Sequence, residues 1–195
     1  MAESTESSPS QNPLFDALEK TRTILFSSDV SPKSVREATA RLLALEASAP
    51  SKMITLILNT PGGAVLPGYG LVDMIRFITA PVRVIGAGMV ASMGISLLIS
   101  VPKERRFSLP NARYMLHQPR FSGKVYGSIS DLELEAFEMV KMKDKTNREI
   151  AAATGQTAEK IDHDTKRDLW LSAEEALDYG LVSKIISSAR DLPEV

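Results

Sequence analysis

The sequence predicts an α/β fold in which helices flank a mostly parallel sheet. Two apolar runs, residues 53–58 and 82–85, lack regular polar alternation and are typical of strands buried on both faces. Stretches with helical capping residues separate such runs, as expected for parallel strands joined by helical crossovers. No internal repeat or long linker interrupts this order. We therefore expect a disordered tail over residues 1–13 and one folded domain over residues 14–195.

Length and composition exclude several classes of protein. A chain of 195 residues is long enough to bury a core, and its net charge of −1, without a basic cluster, indicates no nucleic-acid partner. The absence of Cys excludes disulfides, thiolate zinc sites and cysteine nucleophiles, and suits a reducing compartment. We expect no membrane span and no secretory signal, because no apolar run approaches about 18 residues and residues 1–13 are Ser-rich and acidic.

The first half of the chain alternates strands and helices. Ser31 is a typical N-cap and Pro32 suits the first helical position, so a helix should begin there and reach residue 47. The other elements expected in this half are helix 14–20, strand 23–26, strand 53–58, helix 65–78, strand 82–85, helix 92–100 and strands 106–108 and 113–116.

The longest expected helix covers residues 128–153. Ser130 and Glu133 have the spacing of a capping box at its start. Its apolar side chains occupy more than one face, so it needs more than one partner, and we predict that it lies between subunits. Those side chains are Leu132, Leu134, Ala136, Phe137, Met139 and Val140. Helices capped by Thr157 and Ser172, the second ending at Gly180, and a strand over residues 181–186 complete the chain.

A lone serine, Ser92, stands where the strand that begins at residue 82 leads through small residues into an apolar helix. Such an elbow can expose a nucleophile beside the unpaired N–H groups of the helix N-terminus. Val90 occupies the place of the first Gly in the G-x-S-x-G elbow, so that motif is incomplete. A tight packing corner between strand and helix would produce the same pattern, and both interpretations remain open.

A serine nucleophile needs a base and a group that orients the base. His117, at the end of an apolar strand, is the best base, because the second histidine, His163, lies on a charged helical face. Asp168 directly precedes an apolar run and is a candidate orienting carboxylate. A structural histidine and a salt-bridged loop aspartate are the alternatives. Pro61 to Gly63 form a turn that ends a strand. The two glycines either let the backbone come close to a neighbouring group or serve only the turn itself.

The joint set of motifs resembles the Clp protease proteolytic subunit family, ClpP, over residues 14–187. The motifs are Asn59-Thr60-Pro61-Gly62-Gly63, residues 89–94, residues 115–119, Thr154-Gly155-Gln156 and residues 164–168, in that order. The resemblance implies the ClpP/crotonase-like fold with a long protruding handle helix. It also implies Ser92 as nucleophile, His117 as base and Asp168 as orienting carboxylate, with the backbone N–H groups of Gly63 and Met93 as oxyanion hole.

The same resemblance implies a serine endopeptidase that hydrolyses unfolded polypeptides inside a chamber, in protein quality control in the cytoplasm. It implies stacked heptameric rings, formed by this chain alone or with a ClpP paralogue, and a separate AAA+ Clp ATPase as the user of ATP. No metal or organic cofactor is implied for the chain itself.

Three departures from the family pattern stand out. The interval from His117 to Asp168 is two residues longer, and we place the extra length in residues 120–127, the family's handle strand. Residues 1–13 show no counterpart of the axial loops that meet the ATPase. Lys166 stands beside Arg167 where many members have an acid at the ring–ring contact.

Two other classes of protein remain as alternatives. An acyl-CoA enzyme of the related crotonase fold also uses two backbone N–H groups, but it works with carboxylates and has no use for a Ser, His and Asp set. A non-catalytic or weakly active ClpP-like ring subunit usually lacks a triad member, whereas this chain lacks none.

Overall fold

The computed structural model describes residues 17–18, 20–121, 123 and 126–193. The predicted tail over residues 1–13 lies outside this part of the chain. Of the predicted helix over residues 14–20, residues 17, 18 and 20 are described, and they are helical.

The order of elements follows the prediction closely. Over the described ranges the strands are β1 (Thr23–Phe26), β2 (Ile54–Thr60), β3 (Val82–Ala91), β4 (Arg106–Ser108), β5 (Arg113–Leu116), β6 (Leu169–Leu171) and β7 (Lys184–Ile185). The α-helices there are α1 (Pro32–Ser48), α2 (Val65–Phe77), α3 (Met93–Leu98), α4 (Ile129–Thr154), α5 (Ala158–Asp164) and α6 (Ala173–Tyr179).

The strands form one mostly parallel sheet, as predicted. Its main path is β1-β2-β3-β4-β7, and β5 joins it by pairing with β3. β6 pairs with β5 antiparallel, so that Leu116 lies opposite Leu169. The segments that follow β3 and β5 and precede β6 therefore meet at one edge of the sheet.

β3 is longer than predicted because it changes partner along its length. Its middle pairs with β4, and residues Met89 to Ala91 pair with β5. Between these two parts Gly88 has φ +59, and Asn59 Oδ1 accepts a hydrogen bond from the Met89 N–H at 3.0 Å. A Cβ on Gly88 would lie 2.9 Å from that oxygen, and the positive φ itself favours glycine here. The strand thus carries the chain to the edge where β5 ends.

The helices cover the sheet with buried apolar side chains. α2 contributes Tyr69, Leu71, Val72 and Ile75 to the core, and every residue of α3 is buried. α4 is buried only near its C-terminus, at Asn147, Ile150, Ala151 and Thr154. Its N-terminal turns leave apolar side chains exposed, so that it protrudes as the handle helix that the sequence predicts. These side chains are Ile129, Leu132, Leu134, Phe137 and Val140.

Two local predictions about α4 and the last strand are wrong. The capping box of α4 uses Ser128 and Asp131 rather than Ser130 and Glu133, because Ile129 is the first helical residue and Ser130 already lies within the helix. The predicted strand over residues 181–186 is reduced to β7, because β4, its partner, is itself only 3 residues long. The cap at Ser31, the capping box of Ser172 and the αL glycine at Gly180 are confirmed.

Candidate active site

Ser92 occupies a strained turn between β3 and α3. Its φ of 54 and ψ of −119 lie in a region that a residue with a Cβ rarely adopts. Its N–H donates to the Met115 carbonyl on β5 at 2.9 Å, and the next residue, Met93, begins α3. The turn is therefore held by sheet pairing on one side and by a buried helix on the other. This is how a strand-to-helix elbow presents a serine hydroxyl.

His117 lies directly against Ser92. Its Nε2 is 2.8 Å from Ser92 Oγ, within hydrogen-bond distance. The pairing of Ala91 with Met115 brings the ends of β3 and β5 together and so places the two side chains side by side. His117 is mostly buried, and this burial lowers the pKa of the imidazole; the charge of Arg120 lowers it further, while Asp168 raises it. The net lowered pKa favours the neutral imidazole, which can accept a proton.

Asp168 is the third predicted side chain at this edge, but it is only partly engaged. Its Oδ1 is 3.6 Å from His117 Nδ1, too far for a hydrogen bond. Arg120 Nη2 donates to the same oxygen, and His117 Nδ1 is buried with no hydrogen-bond partner. The Asp168 side chain keeps 39% of its surface exposed, so it is drawn inward less than its apolar neighbours suggest.

Arg120 is the residue at this site that sequence reasoning did not single out. It lies three residues after His117, in the segment expected to form the handle strand. The signal in the sequence that could have pointed to it is a positive charge three positions after the candidate base. Among the described residues between 120 and 127, none is in a strand.

The turn from Pro61 to Gly63 lies against the serine elbow. A Cβ on Gly62 would come within 2.7 Å of the Ala91 carbonyl oxygen and 3.0 Å of the Met93 nitrogen, so this backbone passes very close to the elbow. Gly63 is held by pairing with Val30, whose N–H donates to the Gly62 carbonyl at 2.8 Å. As the first residue of α3, Met93 has an N–H without an acceptor inside the helix. The two N–H groups expected at an oxyanion hole thus belong to neighbouring backbone segments.

A mainly apolar pocket opens beside Ser92 and His117. Its other walls are Val65, Met93, Ile95, Ser96, Leu116, Pro119, Thr146 and Ile150. An apolar side chain that entered this pocket would lose water-exposed surface, which is favourable.

Neither a metal centre nor a membrane span is found in the part of the chain that the structure describes. Its Asp, Glu and His side chains nowhere gather in a group of three or more that could hold a metal ion. Within the same residues, every helix is too short or too polar to cross a bilayer. His163, the second histidine, is exposed and faces Asp164, as predicted.

A strained serine, a neutral histidine on its oxygen, a nearby carboxylate and close backbone N–H groups are the parts of a serine hydrolase. The comparisons with known proteins narrow this class. The chain belongs to the Clp protease family, whose model matches residues 6–189. This family consists of serine peptidases, and the enzyme class expected from the sequence is confirmed.

Individual members of this family are similar in sequence to almost the whole chain. The chain is 47% identical to the ATP-dependent Clp protease proteolytic subunit 3 of Rhizobium johnstonii, over 89% of this chain and 88% of the relative. It is 46% identical to the proteolytic subunit 2 of Pseudomonas aeruginosa, over 89% and 85%. A solved structure of a ClpP1 mutant from Listeria monocytogenes superposes with a TM-score of 0.85 at 42% identity, covering 92% of this chain and 99% of that one. The predicted fold is therefore confirmed.

Proposed function

We propose that this chain is a serine endopeptidase that cleaves unfolded polypeptides with Ser92 as nucleophile, His117 as general base and Asp168 as orienting carboxylate. The observation that carries the proposal is the 2.8 Å contact between His117 Nε2 and Ser92 Oγ. Membership of a family of serine peptidases supports it.

In the first step Ser92 Oγ attacks the peptide carbonyl carbon while neutral His117 Nε2 takes the hydroxyl proton. The imidazolium then gives that proton to the leaving amine, and the Ser92 ester remains. Water, activated by the same Nε2, hydrolyses the ester and regenerates the serine. The lowered pKa of His117 keeps the imidazole neutral at neutral pH, ready for the first transfer.

The negative charge that develops on the carbonyl oxygen needs donors fixed in advance. We assign this role to the backbone N–H groups of Gly63 and Met93. The close approach of Gly62 to the Met93 nitrogen supports the assignment. Asp168 would accept the His117 Nδ1–H, which fixes the tautomer and stabilises the imidazolium, once the two atoms approach to hydrogen-bond distance. The neighbouring pocket would receive an apolar substrate side chain.

We also propose that the active form is a pair of stacked heptameric rings in the cytoplasm, served by a separate AAA+ Clp ATPase. The printed names of the relatives describe ATP-dependent proteolytic subunits, which supports an ATPase partner. The exposed apolar residues of α4 support a contact between subunits. A second ring made of a paralogue is compatible with this arrangement, and no cofactor of the chain's own is proposed.

The test is the substitution Ser92→Ala, with Ser51→Ala, at an exposed serine, as the matched control. Ser92→Ala should lower kcat for a fluorogenic peptide by about 10⁴-fold or more. It should also abolish labelling by a fluorophosphonate probe while the native mass stays unchanged. Ser51→Ala should behave as wild type. Turnover or labelling of Ser92→Ala at the wild-type level would refute the assignment.

A weakly active ring subunit is the second candidate. It is favoured by the 3.6 Å gap between His117 Nδ1 and Asp168 Oδ1 and by the unpartnered Nδ1. Counting fluorophosphonate-labelled sites and measuring turnover in the same sample separates the two. Full labelling with low turnover per site identifies the weak subunit.

A further inference from the structure

Two groups face the same carboxylate oxygen. Arg120 Nη2 donates to Asp168 Oδ1, and His117 Nδ1 points to that oxygen from 3.6 Å. His117 Nδ1 is buried and has no hydrogen-bond partner. A buried polar nitrogen without a partner is costly, and the imidazole is then held only through the contact of its Nε2 with Ser92 Oγ. The contact with Arg120 thus accompanies a carboxylate position from which Asp168 Oδ1 cannot accept a hydrogen bond from the imidazole.

We propose that Arg120 is a positioning residue that holds Asp168 Oδ1 away from His117 Nδ1 and keeps the catalytic set incompletely aligned. The proposal rests on the catalytic roles assigned above to Ser92, His117 and Asp168. Full alignment then requires Arg120 to release Asp168, so that the carboxylate moves the remaining distance to the imidazole.

The exposures of the three side chains make such an exchange feasible. Arg120 keeps 58% of its side-chain surface exposed and Asp168 39%, whereas His117 keeps 16%. Exposed ion pairs contribute little stability, so the Arg120 contact can be given up at small cost. His117 Nδ1 is buried, so it gains most when the carboxylate becomes available as an acceptor.

The charges around His117 are few. Arg120 and Asp168 are the two charged side chains that act on its pKa, in opposite directions, after the larger effect of burial. The other side chains that line the pocket beside it are uncharged. Removing Arg120 should therefore raise the pKa of His117 and move the acid limb of the pH profile upward.

The test compares Arg120→Gln with Arg113→Gln, which removes one exposed arginine at the start of β5, the strand that precedes Arg120 in the chain. Arg120→Gln should raise kcat for a fluorogenic peptide by about tenfold, a fraction of the 10⁴-fold that separates an oriented from a misoriented imidazole. The pH midpoint of its acid limb should rise, and KM should stay within about twofold of wild type. Arg120→Lys, which keeps the charge, should lie between wild type and Arg120→Gln. Arg113→Gln should change none of these quantities.

A double-mutant cycle with Asp168→Asn separates this mechanism from an effect on assembly. If Arg120 acts through Asp168, then Arg120→Gln adds nothing to kcat in the Asp168→Asn background. A gain that persists there, or an Arg120→Gln enzyme with unchanged or lower kcat, overturns the proposal. Neither outcome contradicts the proposed function, because that function is tested separately by the kcat and the probe labelling of Ser92→Ala.

Discussion

At the scale of single residues, the surroundings of His117 determine the pH range of activity. Burial and the Arg120 charge lower its pKa more than Asp168 raises it. Since the neutral imidazole is the active form, activity should be lost as the pH falls through this lowered pKa. The midpoint of the acid limb should lie below about 6.5, the ordinary pKa of histidine.

The measurement is kcat/KM for a short peptide between pH 5 and pH 8, with the native mass followed in parallel. Asp168 opposes the two lowering effects, so a midpoint above the ordinary value would show that its influence prevails in the assembled enzyme. Flat activity down to pH 5 with unchanged mass would argue against His117 as the base.

Gly62 permits a second prediction at this scale. Its φ of +92 and the 2.7 Å approach of a Cβ to the Ala91 carbonyl oxygen mean that Gly62→Ala must move the backbone beside the oxyanion donors. We expect kcat to fall by about 10²- to 10³-fold, the cost of losing one such donor.

Gly70→Ala is the matched control, because Gly70 lies exposed within α2 and a Cβ there would meet nothing within 4 Å. It should leave kcat unchanged and raise the free energy of unfolding by about 0.5–1 kcal/mol. Kinetics and urea unfolding of both variants check the pair. If Gly62→Ala keeps the wild-type kcat, the turn from Pro61 to Gly63 does not contribute to the oxyanion hole.

At the scale of elements, the C-terminal turns of α4 are packed against the core, whereas its N-terminal turns are exposed. Phe137 is 58% exposed, with Lys141 Nζ 4.4 Å from the ring centroid. If these turns are covered by another subunit, Phe137→Glu places a carboxylate in that contact. Its desolvation costs more than a pair with Lys141 returns, so the native mass and the peptidase activity should fall together. Because the position is exposed in the single chain, helix content by circular dichroism should not change.

Glu135→Gln, at an exposed position on the same turns, is the control and should keep the wild-type mass. Native mass spectrometry and activity are measured on both variants. A Phe137→Glu protein with full mass and activity would place the subunit contact elsewhere.

At the scale of the whole molecule, charge should limit how rings pair. Lys166 and Arg167 are both exposed. If they meet their counterparts across a two-fold axis, each like-charge pair costs on the order of 1 kcal/mol in a partly solvated contact. We therefore predict that the chain alone pairs its rings weakly, with low peptidase activity at low salt. Lys166→Glu should strengthen double rings.

The ratio of single to double rings, measured by native mass spectrometry between about 0.05 and 0.5 M salt, tests this prediction, because screening shortens the Debye length below 10 Å over that range. Lys103→Glu makes the same charge change at another exposed position and should have no effect. If Lys166→Glu leaves the ratio of single to double rings unchanged, the charge argument is wrong. The longer segment over residues 120–127 is then the better explanation for weak ring pairing.

The amino-acid sequence by itself determined the element order, the α/β class with a mostly parallel sheet, and two of the candidate site residues, Ser92 and His117. The elements follow from local patterns, namely the apolar runs at β2 and β3, Pro32 after a Ser cap at α1, and the αL glycine after α6. Their alternation along the chain indicates the parallel sheet. His117 was recognisable because the chain has only 2 histidines, and Ser92 because it stands at the strand-to-helix elbow. Asp168 needed the family resemblance as well.

Only the tertiary structure decided how these side chains meet. The full length of β3 depends on β5 as its second partner, and the strained φ of Ser92 depends on the pairing that holds the turn. The contact of Arg120 with Asp168 joins residues 48 positions apart, across the edge where β5 and β6 pair. Such contacts arise from long-range strand pairing, whose register no local pattern in the chain specifies.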